Sequence, residues 1–235
     1  PERALGRGRE AAQIASDMEL PFNEALAATH LALLQQLRAD RATARAQAQA
    51  AYELTVQYKA PYYQAWARIL LCYAEAWEQP DLDQVARLRG AIEEFKSSGA
   101  RLRLPYYLGL LARLCRRAEQ HEDGLAVIDE ALVESQANNE RWWDAELFRL
   151  RGELLHAQGA DDEVEAALSQ ALEIARSQEA RSLELRATMS LARMWQAHDR
   201  TDEARRLLGD VYGWFTEGFD TPDLRRARSL LARLA

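Results

Sequence analysis

Lysine is nearly absent from this 235-residue chain: of its 30 basic side chains, only Lys59 and Lys96 are not arginine. Cysteine occurs twice, at Cys72 and Cys115, which excludes a disulfide scaffold. Six prolines, eleven glycines and sparse Val, Ile and Thr exclude turn-rich and strand-rich folds. What remains is Ala, Leu, Arg, Glu and Gln, the residues that lose least on entering a helix, so an all-α protein follows. No apolar run reaches the roughly 18 residues of a membrane span, and the opening PERALGRGRE has no apolar signal-peptide core. A soluble, cytoplasmic protein with no membrane partner is expected. The net charge of -7 speaks against nucleic acid as a partner, because phosphate affinity needs an excess of Lys and Arg. The chain starts at Pro1 inside a helical pattern without an initiator Met, and we expect it to be a piece of a longer polypeptide.

What is present repeats. Shifted by about 40 residues, the sequence matches itself. A small residue recurs at Ala32, Cys72, Ala112, Gly152 and Ala192, and an apolar one two places later. Further columns run through Ala48, Leu88, Ile128, Leu168 and Leu208, through Ala51, Ala91, Ala131, Ala171 and Val211, and through Tyr52, Ile92, Leu132, Leu172 and Tyr212. Their offsets of three and four put these last columns on one helix face. Polar breaks at 38–42, 78–83, 119–124, 158–163 and 198–203 separate the two halves of each unit, making it helix, turn, helix.

Small residues at fixed places let antiparallel helices approach closely, and this placement resembles the tetratricopeptide (TPR) pattern. Gly152, Leu155, Val164, Leu168 and Ala171 fit its spacing, whereas Trp195 stands where Tyr or Leu is commoner. The usual TPR period is about 34 residues, and HEAT-type repeats of about 40–47 are the structural rival. The resemblance implies a right-handed superhelical solenoid in a single domain spanning 1–235. A half repeat at 1–20 precedes repeats at about 21–60, 61–100, 101–140, 141–180 and 181–220, and a capping helix at 221–235 closes the array. In the ending, Gly218 is expected to break the last repeat helix, and Thr221-Pro222-Asp223 to start the cap. Leu224, Ala227, Leu231 and Leu234 are expected inward, with Trp214, Phe215 and Phe219 filling the elbow. Of the adjacent Trp142 and Trp143, one is expected between units and the other exposed.

The runs GWFTEGFDTPDLRRARSLL, ERWWDAELFRLRGELL and EARSLELRATMSLARMW resemble the C-terminal TPR region of large bacterial signalling proteins. In that family a nucleotide cyclase or DNA-binding output domain is followed by an AAA-like signal-transduction ATPase and then the repeats. The resemblance implies that any ATPase or cyclase lies N-terminal to Pro1; the chain itself has no GxxxxGK[ST] phosphate loop.

No catalytic, cofactor or metal residues are expected. His30, His121, His156 and His198 lack ligand spacing, the two cysteines read as small core residues, and Glu93-Glu94 and Asp161-Asp162 read as solvated charge. The chain is expected not to be an enzyme and to need no cofactor. TPR geometry implies that the first helix of each pair lines a partner groove. Transferred by column, it assigns Trp66, Tyr73, Tyr106, Arg113, Arg116, Arg149, Glu153, His156, Arg186, Met189 and Arg193 to that groove. Arginine forks grip carboxylates, so the expected partner is a protein or peptide, acidic in character, or another domain of the parent chain. The expected function is a non-catalytic sensor or regulatory module. The alternative is structural self-association into homo-oligomers.

Overall fold

The computed structural model describes residues 1–235, except for the side chains of Asp161 and Asp162; the expectation for that carboxylate pair lies outside the described residues. The described residues contain helices and no strand. They fall into two compact units, Pro1–Arg101 and Leu102–Ala235. The first holds α1 (Glu2–Asp17), α2 (Pro21–Leu37), α3 (Arg41–Gln57), α4 (Pro61–Ala76) and α5 (Leu82–Ser97). The second holds α6 (Leu104–Arg117), α7 (His121–Ala137), α8 (Asp144–Ala157), α9 (Asp161–Ser177), α10 (Arg181–Ala197), α11 (Thr201–Gly213) and α12 (Pro222–Arg233), with a 3-10 turn, Arg141–Trp143, before α8. Consecutive helices pack in pairs, and within the second unit the first helices α6, α8 and α10 also touch in order. This is the helix-pair solenoid that the repeat columns implied.

The scarce prolines mark the helix starts. Pro21, Pro61, Pro105 and Pro222 occupy the first or second position of their helices, where a missing N–H costs nothing. Asp40 and Asp81 cap α3 and α5 by accepting the N–H of Thr43 and Gln84. A left-handed residue closes the preceding helix at Glu19, Ala39, Lys59, Gly99, Glu119, Asn139, Gly159, Glu179 and Asp199, every twentieth position except 79, where Pro80 follows. The next N–H then reaches back to a carbonyl in the last turn, as from Gln120 to Cys115 (2.9 Å) and from Arg200 to Trp195 (2.9 Å). Most of these positions are not glycine, so each carries roughly 1–2 kcal/mol of backbone strain that the turn's hydrogen bonds offset.

Burial follows the columns. In the first unit Ala32, Ala48, Ala51, Leu88, Ala91 and Ile92 are buried together with Trp66, Ile69, Leu70, Tyr73 and Phe95. In the second, Gly152 lets α8 and α9 close up: a Cβ there would lie 2.8 Å from both Cγ and Cδ2 of Leu168. Cys115 is buried and Cys72 half-buried, and burial pushes the Cys72 thiol above its usual pKa. Glu93 and Glu94 are exposed.

The ending departs from expectation in three ways. Helix α11 stops at Gly213, ahead of Gly218, so Trp214 and Phe219 turn outward and only Phe215 joins the core of α10, α11 and α12. The Arg181 guanidinium lies over the exposed Trp214 ring at 5.3 Å. The Thr221 hydroxyl donates back to the Gly218 carbonyl (2.6 Å) rather than capping α12. On α12, Leu230 is buried beside Leu224, Ala227 and Leu234, while Leu231 packs at the edge. Trp143 is buried and Trp142 partly exposed, although the 3-10 turn that carries them leaves the two rings in tilted contact at 5.0 Å.

Candidate functional site

The repeat brings charges of opposite sign side by side in the second unit. Arg113, Glu153 and Arg193 occupy one column on α6, α8 and α10, and Glu146 and Arg186 share another. Neighbouring first helices touch, so column mates with opposite charges become neighbours in space.

The centre of the cluster is buried. Arg149 donates from Nε and Nη2 to both oxygens of Glu146 at 2.9 and 2.8 Å, a bidentate pair with both side chains almost wholly buried. From Nη1 it also reaches Glu153 on the same helix and the Ser190 hydroxyl at 3.3 Å. Ser190 in turn donates to Glu153 at 3.2 Å. Arg186 stands 3.9 Å from Glu146 and donates to Asp223 at 2.7 Å, tying α10 to the first turn of α12. Desolvation alone would raise the Glu146 carboxyl; the charge and hydrogen bonds of Arg149, aided by Arg186 and Arg113, hold it down at about 2. Desolvation likewise opposes the ionised Glu153 and Asp223, yet the Arg149 and Arg116 charges pull Glu153 below its usual range and Arg186 does the same to Asp223. These three carboxyl groups are therefore ionised at neutral pH.

Above the network the helices leave a cleft of about 330 Å3. Its rim carries Arg116 from α6, Glu153 and His156 from α8, and Ser190 and Arg193 from α10. Its floor is apolar, made by Val164 and Leu168 of α9 and Met194 of α10. Arg116 Nε lies 3.3 Å from Glu153. Arg193 forms no ion pair or hydrogen bond among the described residues. Desolvation by the cleft walls lowers its pKa below the usual arginine value; Arg149, Arg226 and Arg233 push the same way, and Glu153 opposes them.

The eleven residues assigned to a groove from sequence thus divide. Arg116, Glu153, His156 and Arg193 line the cleft, and Arg113 is half-buried on the same face of α6. Arg149 and Arg186 lie beneath it as buried members of the ion network. Trp66, Tyr73, Tyr106 and Met189 place their side chains in the interior. Trp66 packs edge-on against His30 at 4.8 Å, and Tyr106 stacks on Trp142 at 5.6 Å and meets Trp143 edge-on at 5.0 Å. The reason is geometric: a first helix with a neighbour on each side and its own partner helix behind it leaves only a narrow strip uncovered.

Sequence reasoning missed Glu146, Ser190, Asp223 and the apolar floor. Glu146, Arg149 and Glu153 were findable, since offsets of three and four place them on one helix face, and the 40-residue alternation of Arg113, Glu153 and Arg193 was a signal in itself. Nothing local marks Ser190 or Asp223. Among the described residues no group of His, Cys, Asp and Glu is arranged to hold a metal ion, and no helix is long and apolar enough to cross a membrane.

Comparison with known proteins bears on the fold. No protein-family model matches the sequence. An uncharacterised protein of Rhizobium meliloti (strain 1021), R02095, is 35% identical over 108 residues, which are 45% of this chain and 10% of that protein. The chain thus spans about a tenth of the length of this relative. Among solved structures, BtubC (BKLC) from P. vanneervenii superposes with a TM-score of 0.64 at 16% identity, covering 92% of this chain and 94% of that one. A candidate kinesin light chain from Podosopora anserina, built of nearly identical TPR-like repeats, gives a TM-score of 0.52 at 18% identity over 77% of this chain and 94% of that one. Helix pairs in register with a 40-residue repeat, together with these likenesses, make the chain an all-α, TPR-like solenoid.

Proposed function

We propose that the chain is a non-catalytic sensor or regulatory module that binds a protein or peptide through the cleft-bearing face of α6, α8 and α10. The observation that carries this is the rim itself: Arg116 and Arg193 converge on one open cleft, beside Arg113 on the same face, with Glu153 between them. Guanidinium forks held on rigid helices suit carboxylate side chains, so the partner segment is acidic. TPR-like folds typically bind proteins or peptides, which supports the same class of work. The resemblance of the 140–155, 179–195 and 213–231 runs to bacterial signalling proteins supports a finer reading. The module then belongs to a larger cytoplasmic ATPase or cyclase, and its partner is a separate protein or another domain of the same parent. Binding regulates the parent only if the partner prefers one of the parent's states.

The test is fluorescence anisotropy with a labelled Glu- and Asp-rich peptide and its Gln and Asn counterpart. The acidic peptide is expected to bind, more weakly as salt rises, and the uncharged one not to bind. Replacing Arg113, Arg116 and Arg193 together with Gln is expected to reduce affinity at least about tenfold. Equal binding of both peptides, or full affinity in the triple variant, contradicts the proposal.

A further inference from the structure

The cleft holds more than a charged rim. Its entrance is set by the guanidinium groups of Arg116 and Arg193, while its interior is built from Val164, Leu168 and Met194. Both polar sides of the Ser190 hydroxyl are already engaged, with Arg149 and Glu153. The floor therefore offers contact area but no hydrogen-bond donors, and a phosphate or a fully polar ligand would leave it unused. The charges fix the head group. Around the mouth, Arg116 and Arg193 give two positive charges and Glu153 one negative, while Arg149 and Glu146 beneath cancel. Of the two arginines that line the mouth, Arg116 lies 3.3 Å from Glu153, while Arg193 makes no ion pair or hydrogen bond among the described residues. A volume of about 330 Å3 lies at the small end of the range of about 300–1,000 Å3 for small-molecule sites.

We propose that this cleft is a binding site for a small amphiphilic monocarboxylate, a molecule with one carboxylate head and a short branched or aryl apolar body. The head lies between Arg193 and Arg116, and the body rests on Val164, Leu168 and Met194. The site is separate in kind from the protein-binding role: a small acid seated there removes the arginines that an acidic segment would use, so it acts as a competitor of such a segment.

The probes are 4-methylpentanoate and 3-phenylpropanoate, compared with their primary amides and with acetate, titrated into the 235-residue chain by calorimetry. Both acids are expected to bind with a Kd on the order of 1 mM or tighter, and the amides and acetate at least about tenfold more weakly. Arg193→Gln is expected to reduce acid affinity at least about tenfold with an almost unchanged melting temperature, because that side chain makes no hydrogen bond or ion pair among the described residues. Amides that bind as well as the acids overturn the inference, as does an Arg193→Gln variant of full affinity. So does absence of acid binding up to about 10 mM. If an acidic peptide binds while neither small acid does, the inference falls and the protein-binding role stands; if the acids bind and no peptide does, the reverse holds.

Discussion

Arg149 shows how far one side chain can depart from its apparent place in a repeat. Its column assigns it to an exposed wall, yet it sits buried with a carboxylate on each side along its own helix. A buried ion pair contributes little net stability when intact and costs about 3–5 kcal/mol when one partner is removed, because the remaining charge is stranded. Glu146→Gln removes the bidentate partner of Arg149 but leaves Glu153 beside Arg149 and Asp223 on Arg186, so urea unfolding at pH 7 is expected to show a smaller loss, about 1–3 kcal/mol. Glu94→Gln, whose partner Arg68 is exposed, is expected to change stability by less than about 0.5 kcal/mol. The pH dependence has a definite sign. Glu146 titrates near 2 in the folded chain against 4.5 unfolded, so its contribution is complete above about pH 4.5 and is lost as the pH falls toward 2. The urea midpoint of the natural chain is expected to fall across that window. The midpoint of Glu146→Gln is expected to fall less; equal slopes contradict the buried network.

At the scale of the element, the repeat is an instruction about distance. Gly152 brings α8 against α9 so closely that an added methyl collides with Leu168, whose Cγ has nowhere to retreat in a filled core. Gly152→Ala is expected to cost about 1–3 kcal/mol by overpacking, read from thermal or urea unfolding. A neutral result would mean that the pair tolerates a wider separation. The helix pairs were legible in the sequence because small and apolar residues keep their columns through five units, and packing at these positions permits few alternatives. The ending was less legible. Aromatic crowding at Trp214, Phe215 and Phe219 suggested a filled elbow, but α11 ends at Gly213, and the irregular segment after it has no period from which to read a direction. Columns placed only four of the eleven assigned residues on the cleft for a related reason. They report which face of a helix a residue occupies, whereas exposure depends on how much of that face the next repeat covers.

At the scale of the whole molecule, a chain of net charge -7 carries a mouth of opposite sign, and that contrast is what the proposed role depends on. Charge balance over the full sequence speaks against a broad basic surface but says nothing about one cleft where two arginines outnumber one glutamate. The most direct measurement is amide chemical-shift mapping of the isotopically labelled chain during titration with the Glu- and Asp-rich peptide. The account predicts that the largest changes fall on Arg116, Glu153, His156, Ser190 and Arg193 and disappear in Arg193→Gln. Changes confined to residues away from α6, α8 and α10, with these five unmoved at saturation, would contradict it.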